Sequence, residues 1–191
     1  MKLKLKNKYY ILRHGEAKSN VKNIVSSWPE KFKNPLTKNG KEKVKETAKS
    51  LIGKNIDLIF SSPLLRTKQT SEIVGKKLKV KVKIDKRLRE IGFGTFNSGS
   101  IEKFTKYFEN RLKRIKYNTP KGESYSDVSK RIIVFLKEKE KKYKNKNILI
   151  VSHQAPLFLL EGYVDGLSLK NIIEDFPQER MLHKAQLREL N

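Results

Sequence analysis

The sequence predicts an α/β fold: a single three-layer domain, residues 1–191, in which a mostly parallel central sheet is flanked by helices. Two observations carry this prediction. Short apolar runs of strand length alternate with longer segments whose apolar residues recur at helical spacing, which is typical of α/β proteins. The chain is also long enough for one domain with a sizeable core, and it shows no internal repeat or low-complexity linker that would divide it.

Four apolar runs are the strand candidates: residues 9–12, 57–60, 80–84 and 147–151. Each is short and rich in residues that suit a buried strand. The segment QLREL near the C-terminus is short, and we expect it to form an edge strand.

Three helices are predicted from their start and stop signals. Thr37 is the expected N-cap of the first, which Gly53 can end. The second has Ser62 as its N-cap and Pro63 at its first helical position. In the third, Ser124 and Asp127 have the spacing of a capping box.

Two of the predicted helices have apolar faces or runs that should pack into the core. The helix after Ser124 has an apolar stripe formed by Val128, Ile132, Phe135 and Leu136. The segment APLFLLEGYV, which follows His153 and Gln154, is expected to form a short buried helix.

The composition excludes several classes of protein. There is no cysteine, which excludes disulfides, thiolate catalysis and cysteine-based zinc sites. No apolar run approaches the ~20 residues of a membrane span. The basic N-terminus lacks the apolar core of a signal peptide. We therefore expect a cytoplasmic protein with no membrane partner; the sequence does not predict its oligomeric state.

The net charge is +24, and 35 of the 44 basic residues are lysine. The simplest interpretation is a solvated, lysine-rich surface. Attraction of anionic substrates and binding of nucleic acid are the alternatives. Because the lysines are scattered and no RNP-like aromatic stripe accompanies them, a nucleic-acid partner is the weaker hypothesis.

Two of the three histidines occupy matching positions. His14 follows the first strand candidate directly after Arg13, and His153 follows the fourth candidate, residues 147–151, after a single serine. Ligands of open α/β sheets bind beyond the carboxyl ends of the strands. If these strands are parallel neighbours, both imidazoles face one crevice. A lone histidine at such a position would more simply be structural, but two of them favour a functional site.

A third strand end adds Arg66, in the first turn of the helix predicted to start at Pro63. Arginine binds phosphate oxygens bidentately, and a helix N-terminus favours an anion. Arg13, Arg66 and the two histidines therefore predict a phosphate site without metal ligands. Taken alone, Arg66 could instead be a surface residue that pairs with Glu72 or Asp57.

A carboxylic acid is also expected, because an alkoxide leaving group needs a proton. Glu90 lies in RLREIGFGTF, between Leu88 and Ile91. Solvation at the surface is the default interpretation of one glutamate. Its apolar neighbours instead indicate partial burial, which would raise its pKa towards the working range of an acid.

Four motifs, RHGEAKSN, SSPLLRTKQT, LREIGFG and VSHQAPL, resemble the histidine phosphatase superfamily, the phosphoglycerate-mutase-like phosphatases, from Tyr9 to about Val164. The resemblance implies that His14 is the nucleophile and becomes phosphohistidine. It further implies that Arg13, Arg66 and His153 hold the phosphoryl group and that Glu90 is the proton donor. No cofactor or metal is implied.

The resemblance also suggests substrate contacts around these residues. Asn20 matches a phosphate-contacting asparagine, and Glu123 and Ser124 lie in another family stretch near the pocket. Gln154 replaces the glycine that usually follows the second histidine, and it is a further candidate contact. Asn97 and Ser98 replace an acidic residue and a glycine. These departures affect the identity of the expected substrate more than the expected reaction. Gly15, which follows His14, is expected to let the backbone approach the phosphate closely.

The leading hypothesis is therefore a histidine acid-type phosphatase, a metal-independent phosphomonoesterase that acts through phosphohistidine on a small phosphorylated metabolite. Phosphoglycerate mutase is an alternative within the family, although the segment between Arg66 and His153 is short for that activity. An accessory or nucleic-acid-binding domain of a larger system is the alternative from another class. The intact set of site residues argues against it.

Overall fold

One five-stranded sheet organises the protein, whose computed structural model describes residues 2–175 and 178–191. The strands are β1 (Lys8–Arg13), β2 (Leu58–Ser61), β3 (Val82–Ile84), β4 (Asn147–Ser152) and β5 (Leu187–Glu189). The α-helices are α1 (Lys18–Val21), α2 (Lys38–Ser50), α3 (Leu65–Leu78), α4 (Ile101–Lys106), α5 (Tyr125–Lys142), α6 (Gln154–Val164) and α7 (Leu169–Asp175). Short 3-10 helices span Lys86–Leu88, Gly94–Phe96, Leu112–Ile115 and Gln178–Arg180. No helix in the described ranges is long and apolar enough to cross a membrane.

The strand order is β3-β2-β4-β1-β5. All neighbouring pairs are parallel except β1 and β5, which are antiparallel. The predicted α/β class with a mostly parallel sheet is therefore confirmed, as is the edge strand in QLREL. In the β1–β4 register Arg13 lies opposite Ser152. His14 and His153 thus leave the sheet side by side.

Side chains of β1 alternate between the two faces of the sheet, as in any strand. Tyr9 and Ile11 pack in one buried cluster with α5 and α6, whereas Tyr10 and Leu12 pack in another with α2 and α3. The sheet is therefore the middle of three layers. Its central strands are apolar on both faces because both faces are covered.

The predicted capping of α2 and α5 is confirmed. The Thr37 hydroxyl accepts a hydrogen bond from the Gly40 N–H at 2.9 Å. Ser124 accepts from the Asp127 N–H at 3.2 Å, and the Asp127 carboxylate accepts from the Ser124 N–H at 2.9 Å. The expected end of α2 at Gly53 is wrong. The helix ends at Ser50, and Gly53 lies in the following turn with φ of +85°.

The predicted start of α3 is also wrong. The helix begins at Leu65 with Leu64 as its N-cap residue, not at Pro63 after a Ser62 cap. The Glu30 carboxylate, 35 residues earlier in the chain, accepts the Leu65 N–H at 2.8 Å. This distant cap leaves the Ser62 hydroxyl within 2.7 Å of His153 Nε2. Local capping signals in the sequence could not show that Glu30 caps the helix or that Ser62 binds His153.

Candidate active site

Two imidazoles form the centre of the candidate site at the carboxyl ends of β1 and β4. The ring centroids of His14 and His153 lie 5.1 Å apart at an interplanar angle of 61°. His14 is 3% exposed and His153 is fully buried. The expectation that the two histidines come together at neighbouring strand ends is therefore confirmed.

Hydrogen bonds orient the His14 ring. Its Nδ1 lies 2.7 Å from the Gly15 carbonyl oxygen, and its Nε2 accepts the Nε–H of Arg66 at 3.1 Å. A carbonyl oxygen cannot donate, so Nδ1 carries the proton and Nε2 carries the lone pair. The unprotonated nitrogen of the ring therefore faces the Arg66 guanidinium.

His153 is held in a fixed orientation by two partners. Nη2 of Arg66 lies 3.1 Å from its Nδ1, and the Ser62 hydroxyl lies 2.7 Å from its Nε2. Because the guanidinium can only donate, Nδ1 is the acceptor and Nε2–H donates to Ser62. One arginine therefore bridges both imidazoles.

Arg66 lies in the first turn of α3 and is 3% exposed. Its Nη2 donates to the Ser26 carbonyl oxygen at 2.9 Å, and its Nη1 lies 3.5 Å from the Glu30 carboxylate. The alternative of a surface arginine paired with Glu72 or Asp57 is therefore wrong. Sequence analysis missed Ser26 and Glu30, since no local spacing links them to Arg66.

Arg13 supplies a second guanidinium beside the histidines. Its Nη1 donates to the Leu182 carbonyl oxygen at 2.8 Å. Its Nε is buried and has no hydrogen-bond partner in the described part of the chain. A buried donor without an acceptor suits a ligand that brings one.

The site strongly disfavours protonated histidine. Burial, followed by the positive charge of Arg66, holds the pKa of His14 and of His153 well below the usual value. Burial also lowers the pKa of Arg66 to about 10, so the guanidinium stays charged at neutral pH. The crevice therefore combines neutral imidazoles with fixed positive charge, which suits attack on an anionic group.

Glu90 is buried beside this group of cations, at 9% exposure. Burial raises the pKa of its carboxyl above the usual value, against the opposing effects of the Ile91 N–H, Arg66 and Arg13. Its Oε1 accepts the Ile91 N–H at 2.9 Å. A raised pKa is what a carboxyl needs to hold a proton for a leaving group.

The Glu90 loop is braced by an ion-pair network. Glu123 pairs with Arg89 and with Arg131, and it accepts the Gly92 N–H at 2.9 Å. Arg131 also donates to the Glu90 carbonyl oxygen at 3.2 Å. Glu123 therefore fixes the loop that carries Glu90. The substrate contact expected of Glu123 stays a prediction, as its carboxylate is already engaged within the protein.

The other candidate contacts each have a hydrogen-bond partner within the protein. Ser124 is the buried N-cap of α5, and its hydroxyl donates to Asp127 at 2.7 Å. Asn20 accepts the Ala17 N–H at 2.9 Å through Oδ1. Gln154 follows His153, and its side-chain amide lies 3.0 Å from the Met181 sulfur. None of these geometries tests substrate contact, which stays a prediction for all three.

Two residues singled out in the sequence have structural roles. The Asn97 amide ties its loop to the segment before α2, accepting the Ser27 N–H and donating to the Pro29 carbonyl, both at 2.9 Å. A Cβ on Gly15 would lie 2.7 Å from the Gly40 carbonyl oxygen and from a Val44 methyl group. Glycine at position 15 therefore permits close packing against α2. The sequence predicted only that Gly15 lets the backbone approach the phosphate.

Within residues 2–175 and 178–191, no group of three histidine, cysteine, aspartate or glutamate side chains could hold a metal ion. The polar groups of the site are instead two guanidinium groups, two neutral imidazoles and the carboxyl groups of Glu90 and Glu30. Such a set fits a phosphate-sized anion.

Known proteins resemble this chain in sequence and in fold. A Hydrogenobacter thermophilus protein provisionally named phosphoserine phosphatase 2 is 28% identical over 168 residues, 85% of this chain and 81% of the relative. A Photorhabdus laumondii protein named "Probable phosphoglycerate mutase GpmB" is 29% identical over 163 residues, 83% of this chain and 74% of the relative. The crystal structure of the alpha-ribazole phosphatase from Shigella flexneri superposes with a TM-score of 0.78 at 25% identity, covering 94% of this chain and 88% of that one.

A family model extends the match along the chain. It describes branch 1 of the histidine phosphatase superfamily and matches residues 9–185. The match includes both histidines, Arg13, Arg66 and Glu90. The chain therefore belongs to the histidine phosphatase superfamily.

Proposed function

We propose that this protein is a metal-independent phosphomonoesterase that acts on a small phosphorylated metabolite through a phosphohistidine at His14. One observation carries the proposal: His14 Nε2 is unprotonated and directs its lone pair to Arg66, next to His153, while Nδ1 is held by the Gly15 carbonyl. A neutral, oriented imidazole among fixed cations is a nucleophile suited to a phosphate ester.

In the first step the Nε2 lone pair attacks phosphorus, and the bond from phosphorus to the leaving oxygen breaks. The Glu90 carboxyl gives its proton to that oxygen, so an alcohol leaves and Glu90 becomes a carboxylate. The positive charge that develops on the His14 ring is stabilised by the Gly15 carbonyl, which accepts the Nδ1–H.

In the second step water attacks the phosphohistidine. The Glu90 carboxylate takes one proton from the water, the new oxygen bonds to phosphorus, and the phosphorus–nitrogen bond breaks. Inorganic phosphate leaves, and His14 and Glu90 return to their starting states. Arg13 and Arg66 are proposed to bind the phosphoryl oxygens throughout, which stabilises the charge spread over them.

Phosphoglycerate mutase is a second candidate because several relatives carry the name "Probable phosphoglycerate mutase GpmB". The two activities share the phosphohistidine and differ in what accepts the phosphoryl group: water in one case, a second hydroxyl in the other. Incubation with 3-phosphoglycerate and 2,3-bisphosphoglycerate separates them. The phosphatase proposal predicts free phosphate in excess over 2-phosphoglycerate, and the reverse result would favour the mutase.

The proposal is tested with p-nitrophenyl phosphate in the presence of EDTA. Wild-type protein should release p-nitrophenol, and quenching in alkali should trap phosphohistidine, whose phosphorus–nitrogen bond is labile to acid. His14→Ala should lose both signals while remaining folded, as judged by its circular dichroism spectrum. His183→Ala is the matched control, because this third histidine is exposed. Retention of turnover by His14→Ala would refute the nucleophile, and loss in EDTA restored by a divalent cation would refute metal independence.

A further inference from the structure

A cavity of about 640 Å³ is lined by Glu90, the proposed acid, and by Gln154. This volume is within the ~300–1,000 Å³ range of pockets for small organic ligands. Its apolar wall includes the aromatic side chains Phe93, Phe104, Phe108, Tyr125 and Phe158. The cavity is therefore larger than a phosphoryl group requires.

Two arginines, Arg111 and Arg114, line the same cavity. Arg111 is the N-cap residue of the 3-10 helix Leu112–Ile115 and Arg114 lies within that helix, in which residues three apart lie on one face. The Arg114 guanidinium lies 4.4 Å from the Tyr125 ring centroid, and that of Arg111 lies 5.1 Å from the Phe158 ring centroid. Stacking of this kind fixes where the two positive charges lie.

Both arginines have unused donors. Nη2 of Arg111 and Nε of Arg114 are buried, and neither has a hydrogen-bond partner among the described residues. Two carboxylates also line the cavity: Glu109 is paired with Lys113, and Glu90 is the proposed acid. Buried donors without acceptors are unfavourable in a folded protein, and a bound anion would satisfy them.

We propose that Arg111 and Arg114 form a subsite for a second anionic group on the substrate, a carboxylate or a second phosphate on the alcohol that leaves. The proposal rests on the phosphatase function and narrows its substrate class. The phosphoryl group would lie at His14 and Arg66, the body of the alcohol would contact the aromatic wall, and its anion would bind the two guanidinium groups. Burial, which also lowers the pKa of Arg114, would strengthen this ion pairing.

The test compares matched substrates that differ at the far end of the leaving alcohol. A series of ω-phosphooxyalkanoates of increasing length is compared with the corresponding amides. Alkanediol bisphosphates of the same lengths test whether a second phosphate is recognised instead of a carboxylate. The alcohols of each acid and amide pair have similar leaving ability. The ratio of their kcat/KM values therefore measures recognition of the charge, and the best chain length reports the span from His14 to the arginines.

The acid-to-amide ratio should exceed roughly 10-fold at one chain length in the wild type, as expected for hydrogen bonds to charged groups. Arg111→Met and Arg114→Met should each reduce the ratio, and the double variant should bring it close to one. Methionine retains an apolar stem against the aromatic rings. If Arg114→Met does not fold, Arg111→Met and Arg111→Lys still decide the question, with lysine restoring part of the ratio.

Lys116→Met is the matched control, because Lys116 is an exposed cation of the same segment that does not line the cavity. It should keep the wild-type ratio. An equal loss in Lys116→Met would assign the effect to the general positive field and overturn the subsite, as would a wild-type ratio near one at every chain length. Hydrolysis of the amides continues in either case, whereas failure of the proposed phosphatase function would abolish hydrolysis of every ester.

Discussion

Arg66 and His14 are joined by a hydrogen bond of 3.1 Å between the arginine Nε and the histidine Nε2. The same guanidinium lies 3.1 Å from His153 Nδ1. The N–H groups of one planar guanidinium thus donate to the lone pairs of two neutral imidazoles. A phosphate that binds Arg66 would compete for these N–H groups and release the His14 lone pair for attack, which couples substrate binding to activation of the nucleophile.

Arg66→Lys tests this relationship. Lysine retains a positive charge but has no planar fork, so it cannot bridge two imidazoles and bind phosphate bidentately. We expect kcat with p-nitrophenyl phosphate to fall by roughly 10²–10³-fold, the scale seen when one preorganised donor is removed. Arg87→Lys is the control, since Arg87 pairs with Asp85 and Glu138 outside the site. Near-wild-type kcat in Arg66→Lys would show that charge alone suffices.

Much of this site is predictable because it follows from strand ends. His14, His153 and Arg66 each come directly after an apolar run or at the start of the next helix, and parallel strands bring such positions to one edge of a sheet. The residues that hold these side chains in place could not be predicted in the same way. Ser26 and Glu30 contact Arg66 from a segment without regular structure, and Ser62 binds His153 instead of capping α3.

The leaving-group side was harder still to foresee. Arg111 and Arg114 lie in a segment with neither a strong helical stripe nor a strand pattern, and sequence analysis did not predict α4 or the 3-10 helix after it. Their place in a cavity depends on aromatic residues as distant as Phe158. Long-range packing of this kind leaves no signal in local spacing.

Glu90→Gln should reduce activity in proportion to the basicity of the leaving group. With an alkyl phosphate, whose alkoxide needs a proton, we expect a loss of roughly 10²-fold or more, the usual scale of general acid catalysis. With p-nitrophenyl phosphate the loss should be smaller. Steady-state kcat/KM for both esters measures the difference. Glu123→Gln is the comparison variant: it loosens the loop without removing the acid, so its losses should be equal for both esters. Equal losses in Glu90→Gln would assign Glu90 a positioning role.

Acid should destabilise the fold through the two buried histidines. Their folded-state pKa values lie well below the ordinary value of 6.5, so the unfolded chain binds more protons once the pH falls below about 6.5. The stability that they contribute is present above this pH and is lost as the pH falls towards the folded pKa. The free energy of unfolding should decrease by up to ~1.4 kcal/mol per pH unit for each histidine.

Urea unfolding between pH 7.5 and 5.5 measures this slope. The raised pKa of Glu90 acts in the opposite direction, because the folded state then binds the extra proton. The measurement is therefore made in a Glu90→Gln background. Adding His14→Asn should reduce the slope, and adding His183→Ala, at an exposed position, should not. A slope that is unchanged by His14→Asn would show that His14 ionises normally in the folded protein.

The net charge of +24 separates the enzyme from the nucleic-acid hypothesis. If the lysines form a solvated surface, they attract a small anion only through a field that is screened over ~8 Å near physiological salt. Raising salt should then weaken kcat/KM modestly and leave kcat nearly constant, because Arg66 and both histidines are buried. A nucleic-acid domain that makes 6–10 phosphate contacts would instead lose ~10³-fold or more in affinity between 50 and 200 mM salt. We expect weak RNA binding that disappears by 150 mM salt while phosphatase turnover continues. The nucleic-acid domain would be favoured if the protein bound a defined RNA tightly at that salt and hydrolysed no monoester. His14→Ala would then leave the RNA binding unaffected.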